Sequence, residues 1–353
     1  MGHGGKWDES SFTDRPSRRG SRPRTKNRPT HDDATLAMVI GVDRGRYTLV
    51  ADDGLPAERR VVAMRARELG RTRIVCADRV AIVGDTSGAA GTLARIVRVE
   101  DRKTVLRRTA DDTDPYERII VANADQLVIV TACADPTPRP RMIDRCIVAA
   151  FDAGMDVLLC MTKADLADPE PIIAPYRDIG VESIITRRAD GRIEGLPALI
   201  ELLRGRVSVL VGHSGVGKST LVNALVPGAD RATGHVNAVT GRGRQTSTSA
   251  VALRLMDEAH APAGWVIDTP GVRSFGLAHV GVDSVIAAFD DLTEVVARCP
   301  RGCTHLAGAP DCELDAWVAT ASDGEGIRRS HRVDSLRRLL AARGATTTAD
   351  RLA

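Results

Sequence analysis

Short runs in which apolar and polar residues alternate occupy residues 36–42, 47–51, 60–64, 74–83 and 92–99 of the chain. Turn signals such as Asp43-Arg44-Gly45 and Asp52-Asp53-Gly54 separate them, and strands repeated at this spacing predict a small β-barrel. Beyond residue 105 the pattern changes. Continuous apolar runs at 126–130, 156–161 and 206–211 read as strands buried on both faces of a parallel sheet, with helical crossovers at 142–154 and 196–203. Further on, Leu336, Leu339 and Leu340 recur at helical spacing within 327–343, beside Arg328, Arg329, Arg332, Arg337 and Arg338. One face of that helix is expected to pack on the protein and the other to meet solvent or phosphates. The expected architecture is a multidomain α/β chain: a disordered basic tail over 1–33, a barrel over 34–105, an α/β domain over 106–276, a helical domain over 277–345 and a flexible end over 346–353.

Three short motifs in the α/β region carry chemistry. Gly212-His213-Ser214-Gly215-Val216-Gly217-Lys218-Ser219, followed by Thr220, is a phosphate loop between an expected strand and an expected helix at 219–225. Its glycines let backbone N–H groups close around phosphates, Lys218 reaches the outer phosphates and the Ser219 hydroxyl ligates Mg²⁺. Asp268-Thr269-Pro270-Gly271 ends the apolar run Trp265-Val266-Ile267, which sets a carboxylate at a strand end to hold Mg²⁺ and leaves Gly271 to turn toward a γ-phosphate. Thr162-Lys163-Ala164-Asp165 ends another apolar run. There Asp165 can accept the two edge protons of guanine while the Lys163 stem covers the base. Thr162 stands where such elements usually carry Asn, so guanine selectivity is expected to rest on Asp165. In an ordinary GTPase this third element comes last, whereas here it precedes the phosphate loop: the set is present but permuted.

Between the phosphate loop and Asp268 lies Gly241-Arg242-Gly243-Arg244-Gln245-Thr246-Ser247-Thr248, basic, glycine-loosened and rich in hydroxyls. It reads as a switch loop in which Thr246 or Thr248 reaches Mg²⁺ when a γ-phosphate is present. Val272, directly after Gly271, is apolar and cannot orient an attacking water, and His213 is expected to face solvent.

With these motifs in this order, the chain resembles the circularly permuted, ribosome-small-subunit-dependent GTPases of the RsgA family, from about Leu36 to near Leu340. The resemblance implies an N-terminal OB-fold, a permuted P-loop GTPase domain and a C-terminal helical zinc domain, acting late in assembly of the bacterial 30S subunit. It also implies binding to 16S rRNA, GTP turnover to GDP and a switch-loop histidine where this chain has Gln245. Glutamine can orient water but is no general base, so slow basal turnover is expected. The base-side fifth motif is best matched by Ile185-Thr186-Arg187.

Cys299, Cys303, His305 and Cys312 fall within one short segment, and a Cys₃His set reads as a closed tetrahedral site for one structural Zn²⁺, the alternative being a disulfide or free-thiol cluster. The family usually has one more residue between the first two cysteines and one fewer before the last. Cys76, Cys133, Cys146 and Cys160 are instead scattered in apolar runs and read as buried thiols, which with the absence of an apolar leader points to a cytoplasmic protein. No run in the sequence approaches a membrane span.

The net charge of the 353 residues is only +3, yet Arg15, Arg18, Arg19, Arg22, Arg24, Lys26 and Arg28 crowd the tail. Local positive charge of this kind suits RNA phosphates. The barrel region holds one aromatic, Tyr47, which favours backbone or shape recognition of structured RNA over base stacking. The expectation is a monomeric GTPase that times small-subunit maturation. The alternative is an rRNA-binding assembly factor whose nucleotide pocket regulates docking with little hydrolysis. An ATP-dependent enzyme is disfavoured by Lys163 and Asp165.

Overall fold

The computed structural model of the chain describes residues 31–109, 117–177, 179–227, 250–257, 261–269, 277 and 280–344. The basic tail up to residue 30, the switch residues Gln245, Thr246 and Thr248, Gly271 with Val272, and the end over 346–353 lie outside the described residues.

Strands β1 (Thr35–Asp43), β2 (Arg46–Ala51), β3 (Arg59–Arg65), β4 (Arg79–Gly84) and β5 (Ala94–Val99) close into a barrel in the order β1-β2-β3-β5-β4. The β3–β5 pairing is parallel and the others are antiparallel, an OB-type arrangement. Strand alternation sends Val39, Leu49, Val61, Ile82 and Ile96 inward to a core of its own. The apolar run at 74–83 yields a strand only from Arg79. The reason is Asp78, a fully buried carboxylate that accepts the Val75 N–H at 2.8 Å and both nitrogens of the Arg102 fork at 2.7 and 2.8 Å. That bond turns the chain at 75–78 before it can extend.

A hairpin, β6 (Val105–Arg108) and β7 (Arg118–Ala122), leads out of the barrel. The chain then runs through β8 (Gln126–Ala132), α1 (Pro140–Asp152), β9 (Asp156–Thr162), α2 (Glu170–Arg177) and β10 (Glu182–Ile185). A small hairpin follows, β11 (Arg187–Ala189) and β12 (Arg192–Glu194), then α3 (Leu196–Leu203), β13 (Val207–Gly212), α4 (Lys218–Leu225), β14 (Val251–Met256) and β15 (Pro262–Asp268). The sheet order is β10-β9-β8-β13-β15-β14, parallel except for the edge strand β14. Every residue of β8 is buried, and alternate residues feed opposite cores: Leu127 and Ile129 one side, Val128 and Val130 the other. Such strands carry no alternating pattern because neither face is wet.

Among the described residues, four helices follow: α5 (Val282–Ile286), α6 (Asp290–Val296), α7 (Glu313–Ala319) and α8 (Asp323–Gly344). Val333, Leu336, Leu339 and Leu340 of α8 are buried against the α1 side of the sheet, each stabilising by roughly 1.5–3 kcal/mol. The basic face of α8 differs from expectation. Arg329 donates to the Trp317 carbonyl at 2.8 Å, Arg332 to Asp291 at 3.0 Å, Arg337 to Asp315 at 2.8 Å and Arg338 to Asp144 at 3.1 Å. Helices α1, α6 and α7 supply an acid each to Arg338, Arg332 and Arg337, and α7 a carbonyl to Arg329, so these four fasten the helix inward while Arg328 is exposed.

Candidate functional site

Strand β13 ends at Gly212 and α4 begins at Lys218, so residues 213–217 form the expected loop at the carboxyl end of the sheet, where ligands bind in open α/β folds. Glycine is obligatory at two positions. A Cβ on Gly212 would stand 2.5 Å from the Val130 carbonyl oxygen of the neighbouring strand, and Gly217 caps α4 with φ of 89°. Val216 is buried and anchors the loop from below, while Ser214, Gly215, Ser219 and Thr220 are exposed along its mouth. His213 is half-buried, and its Nδ1 lies 3.0 Å from the Ser214 carbonyl.

Strand β15 lies beside β13 with Asp268 opposite Leu210, and the Thr269 hydroxyl donates to the Leu210 carbonyl at 2.8 Å. Asp268 thus emerges next to the phosphate loop, where the Lys218 ammonium pairs with its carboxylate. Ser219 follows Lys218 in the first turn of α4, and a serine hydroxyl and a strand-end carboxylate are the ligand types that a Mg²⁺-nucleotide takes.

Strand β9 brings in the Thr162-Lys163-Ala164-Asp165 element. Thr162 is buried, and its hydroxyl donates to the Val216 carbonyl at 2.6 Å, with the Thr131 carbonyl at 3.3 Å. Its hydroxyl is therefore committed to holding the phosphate loop. Lys163, at a φ of 55°, lays its ammonium on the Asp135 carbonyl. Asp165 accepts the Arg188 N–H at 3.3 Å, Ala164 N–H donates to the Thr186 carbonyl at 3.3 Å, and Thr186 N–H donates to Met161 at 2.7 Å. The Ile185-Thr186-Arg187 segment accordingly lies beside Asp165.

One wall of this site escaped the sequence reading. The loop after β8 places the Pro136 ring 3.5 Å from where a Cβ on Gly215 would lie and offers the Asp135 carbonyl to Lys163. The signal was present in the prolines at 136, 138 and 140 directly after a strand end, which mark a stiff loop rather than solvated slack.

The second cluster closes over the last helices. Cys299 follows α6, Cys312 precedes α7, and the ligand atoms of Cys299, Cys303, His305 and Cys312 all lie within 4.8 Å of one another. Tetrahedral Zn–S bonds of ~2.3 Å give edges of about 3.8 Å, so a small contraction completes the site. His305 Nδ1 is buried and has no hydrogen-bond partner, an orphan that a metal would satisfy. Burial, with the Cys312 and Cys303 thiols adding to it, pushes Cys299 up to about 11, and burial lowers His305. All seven cysteines are free thiols. Cys76, Cys146 and Cys160 are pushed to about 12 by burial, as suits inert core residues. The cluster can hold a metal ion.

Comparison with known proteins agrees with this geometry. The RsgA GTPase family profile matches residues 99–278. A small ribosomal subunit biogenesis GTPase RsgA of Chlorobaculum tepidum is 34% identical over 297 residues, spanning 81% of this chain and 92% of the relative. The protein of the same description from Ectopseudomonas mendocina is 40% identical over 231 residues, 63% of each chain. Among solved structures, YjeQ from Thermotoga maritima matches the fold with a TM-score of 0.58 at 24% identity, covering 87% of this chain and 98% of its own. YloQ, described as a circularly permuted GTPase, matches with a TM-score of 0.60 at 21% identity, covering 88% and 96%.

Proposed function

The chain belongs to the RsgA family of GTPases, and we propose that it binds the small ribosomal subunit through 16S rRNA and hydrolyses GTP to time late maturation of that subunit and its own release. The observation that carries the reading is the convergence of two motifs far apart in the chain, with the Thr162 hydroxyl bonded to the Val216 carbonyl at 2.6 Å. That contact supports reading the Thr162–Asp165 element and the phosphate loop as two walls of one nucleotide pocket.

In this reading the phosphates lie along Gly212 to Ser219, and Lys218 exchanges Asp268 for the β and γ phosphates. Asp165 accepts the guanine edge protons, Lys163 flanks the base and Thr162 positions the loop. Ser219 and Asp268 would hold Mg²⁺, which when bound would supply charge neutralisation at the β and γ phosphates. Gln245 orients water, with Thr246, Thr248 and Gly271 completing the γ-phosphate side. Cys299, Cys303, His305 and Cys312 hold one structural Zn²⁺, because three thiolates and an imidazole in a closed cluster select that metal. Domain borders fall at residues 33, 105, 276 and 345. The protein works as a monomer in the cytoplasm; among the described residues no helix is long and apolar enough to cross a membrane.

Steady-state hydrolysis of GTP and ATP, with and without purified 30S subunits and with Lys218→Ala as the blank, tests this. Stimulation by subunits with GTP alone is the expected result. Subunit binding without stimulation would replace the timer with an RNA-binding factor whose nucleotide pocket only regulates docking.

A further inference from the structure

The barrel is fastened to the GTPase sheet at a point on the strand that carries Asp268. Arg254, in the middle of edge strand β14, reaches the β2–β3 turn of the barrel. Its guanidinium donates to Asp53 Oδ1 at 2.7 Å and to the Glu58 carboxylate, and it lies over the Trp265 ring, 3.9 Å from the centroid. Trp265 is the cross-strand partner of Arg254, and its Nε1–H donates to Asp53 Oδ2 at 3.3 Å. Arg79 of β4 adds an ion pair to Asp53 at 3.6 Å. The side chains of Arg254 and Asp53 are only 16% and 15% exposed, so water screens this junction far less than an exposed pair.

Trp265 stands three residues before Asp268 on β15, about 10 Å along a strand that rises ~3.3 Å per residue. The strand is pinned there. A Cβ on Gly264 would stand 2.8 Å from the Arg206 carbonyl and 3.0 Å from the Leu203 carbonyl, and Trp265 N–H donates to Arg206 at 2.9 Å. The junction thus ties the β2–β3 turn of the barrel directly to β14 and β15 at a point where β15 is closely packed. At the far end of β15, Lys218 has two acceptors to choose between, Asp268 and the phosphates of GTP, and such a choice is the discrete element that coupling requires.

We propose that Arg254 is a positioning residue that transmits docking of the barrel on the ribosomal subunit to the nucleotide site, through Trp265 and β15 to Asp268 and Lys218. The proposal rests on the reading that subunit docking stimulates hydrolysis.

Full-length Arg254→Ala and Arg254→Lys are compared with the parent in GTP affinity, kcat without subunits, subunit affinity and kcat at saturating 30S. A coupling of ordinary size predicts that Arg254→Ala loses about tenfold in stimulated kcat, with GTP affinity, unstimulated kcat and subunit affinity within about twofold. Arg254→Lys, which keeps the charge, recovers part of the loss. Asp53→Asn with Glu58→Gln, made wholly on the barrel, reproduces it and guards against a folding defect in β14. Full stimulation in these variants overturns the proposal, as does a parallel fall in unstimulated kcat, which would mark a merely structural role. If the parent protein is not stimulated at all, the functional reading has failed rather than the coupling. The coupling is then read from Trp265 fluorescence in a Trp7→Phe, Trp317→Phe background. A GTP-induced change abolished by Asp53→Asn with Glu58→Gln supports it, and no change overturns it.

Discussion

The phosphate loop and the Cys₃His cluster both gather donors for a cation, and they are built on opposite plans. At the phosphate loop the protein's own charges cancel, Lys218 against Asp268. At the cluster the groups are held neutral and one is unsatisfied: His305 Nδ1 is buried without a partner, and burial holds the Cys299 thiol at about 11. A site that satisfies itself can load and unload a substrate without cost to the fold. A site with a buried unsatisfied group suits a resident ion, because leaving such a group unpaired costs about 1–3 kcal/mol. The contrast fits the proposed roles, turnover at the phosphate loop and structure at the cluster.

The largest test of that contrast is metal removal. Since structural zinc contributes on the order of 10–16 kcal/mol in small domains, chelation or Cys303→Ser should release the metal, measured by atomic absorption. Hydrogen exchange over 280–344 should then rise while the parallel sheet stays protected. Unchanged exchange in metal-free protein would erase the distinction between the two sites. Lys218→Ala should act in the reverse manner. GTP affinity falls by about 100-fold, the order expected for losing a charge-assisted bond, whereas the melting temperature scarcely moves, because the Asp268 side chain is 31% exposed and hydrates readily. A large loss of stability in this variant would show that the pair is structural after all.

Thr162→Val sharpens the comparison within the nucleotide site. Removing the hydroxyl that bonds to Val216 should weaken GTP binding by about tenfold and leave the preference for GTP over ATP intact, since Asp165 is untouched. A changed preference with unchanged affinity would mean that the hydroxyl serves the base. The smallest effects belong to α8, whose inward arginines close the helical region. Arg332→Ala, which loses its pair with Asp291 and its position 5.0 Å over Phe289, should cost under about 1 kcal/mol in melting and spare subunit binding. Exposed Arg328→Ala should instead weaken subunit binding a few-fold and leave melting unchanged.

Much of the fold was legible before any coordinates. The phosphate-loop strand and helix, the barrel strands and the buried parallel runs fall within a few residues of expectation, because turn chemistry and apolar period act over neighbouring residues. The departures have specific causes. Asp78 halts a strand because its carboxylate finds Val75 and Arg102. The α8 arginines turn inward because Asp144, Asp291 and Asp315 arrive from other helices. The stiffness of the Pro136 loop could be read from its prolines, but its place against Gly215 and the partner of Thr162 could not, because each depends on a residue distant in sequence.

By itself the sequence determined which groups are available: the phosphate loop, the permuted order of the guanine element, the Cys₃His set and the run of strands that makes a barrel. These are local matters of spacing, turn residues and donor type. Only the tertiary structure decided how the groups are partnered, bringing Asp268 to Lys218, Thr162 to Val216 and Arg254 to Asp53 across the sheet order β10-β9-β8-β13-β15-β14. A hydrogen bond or ion pair depends on atoms a few ångströms apart in space, and the chain order carries that distance only through the complete fold.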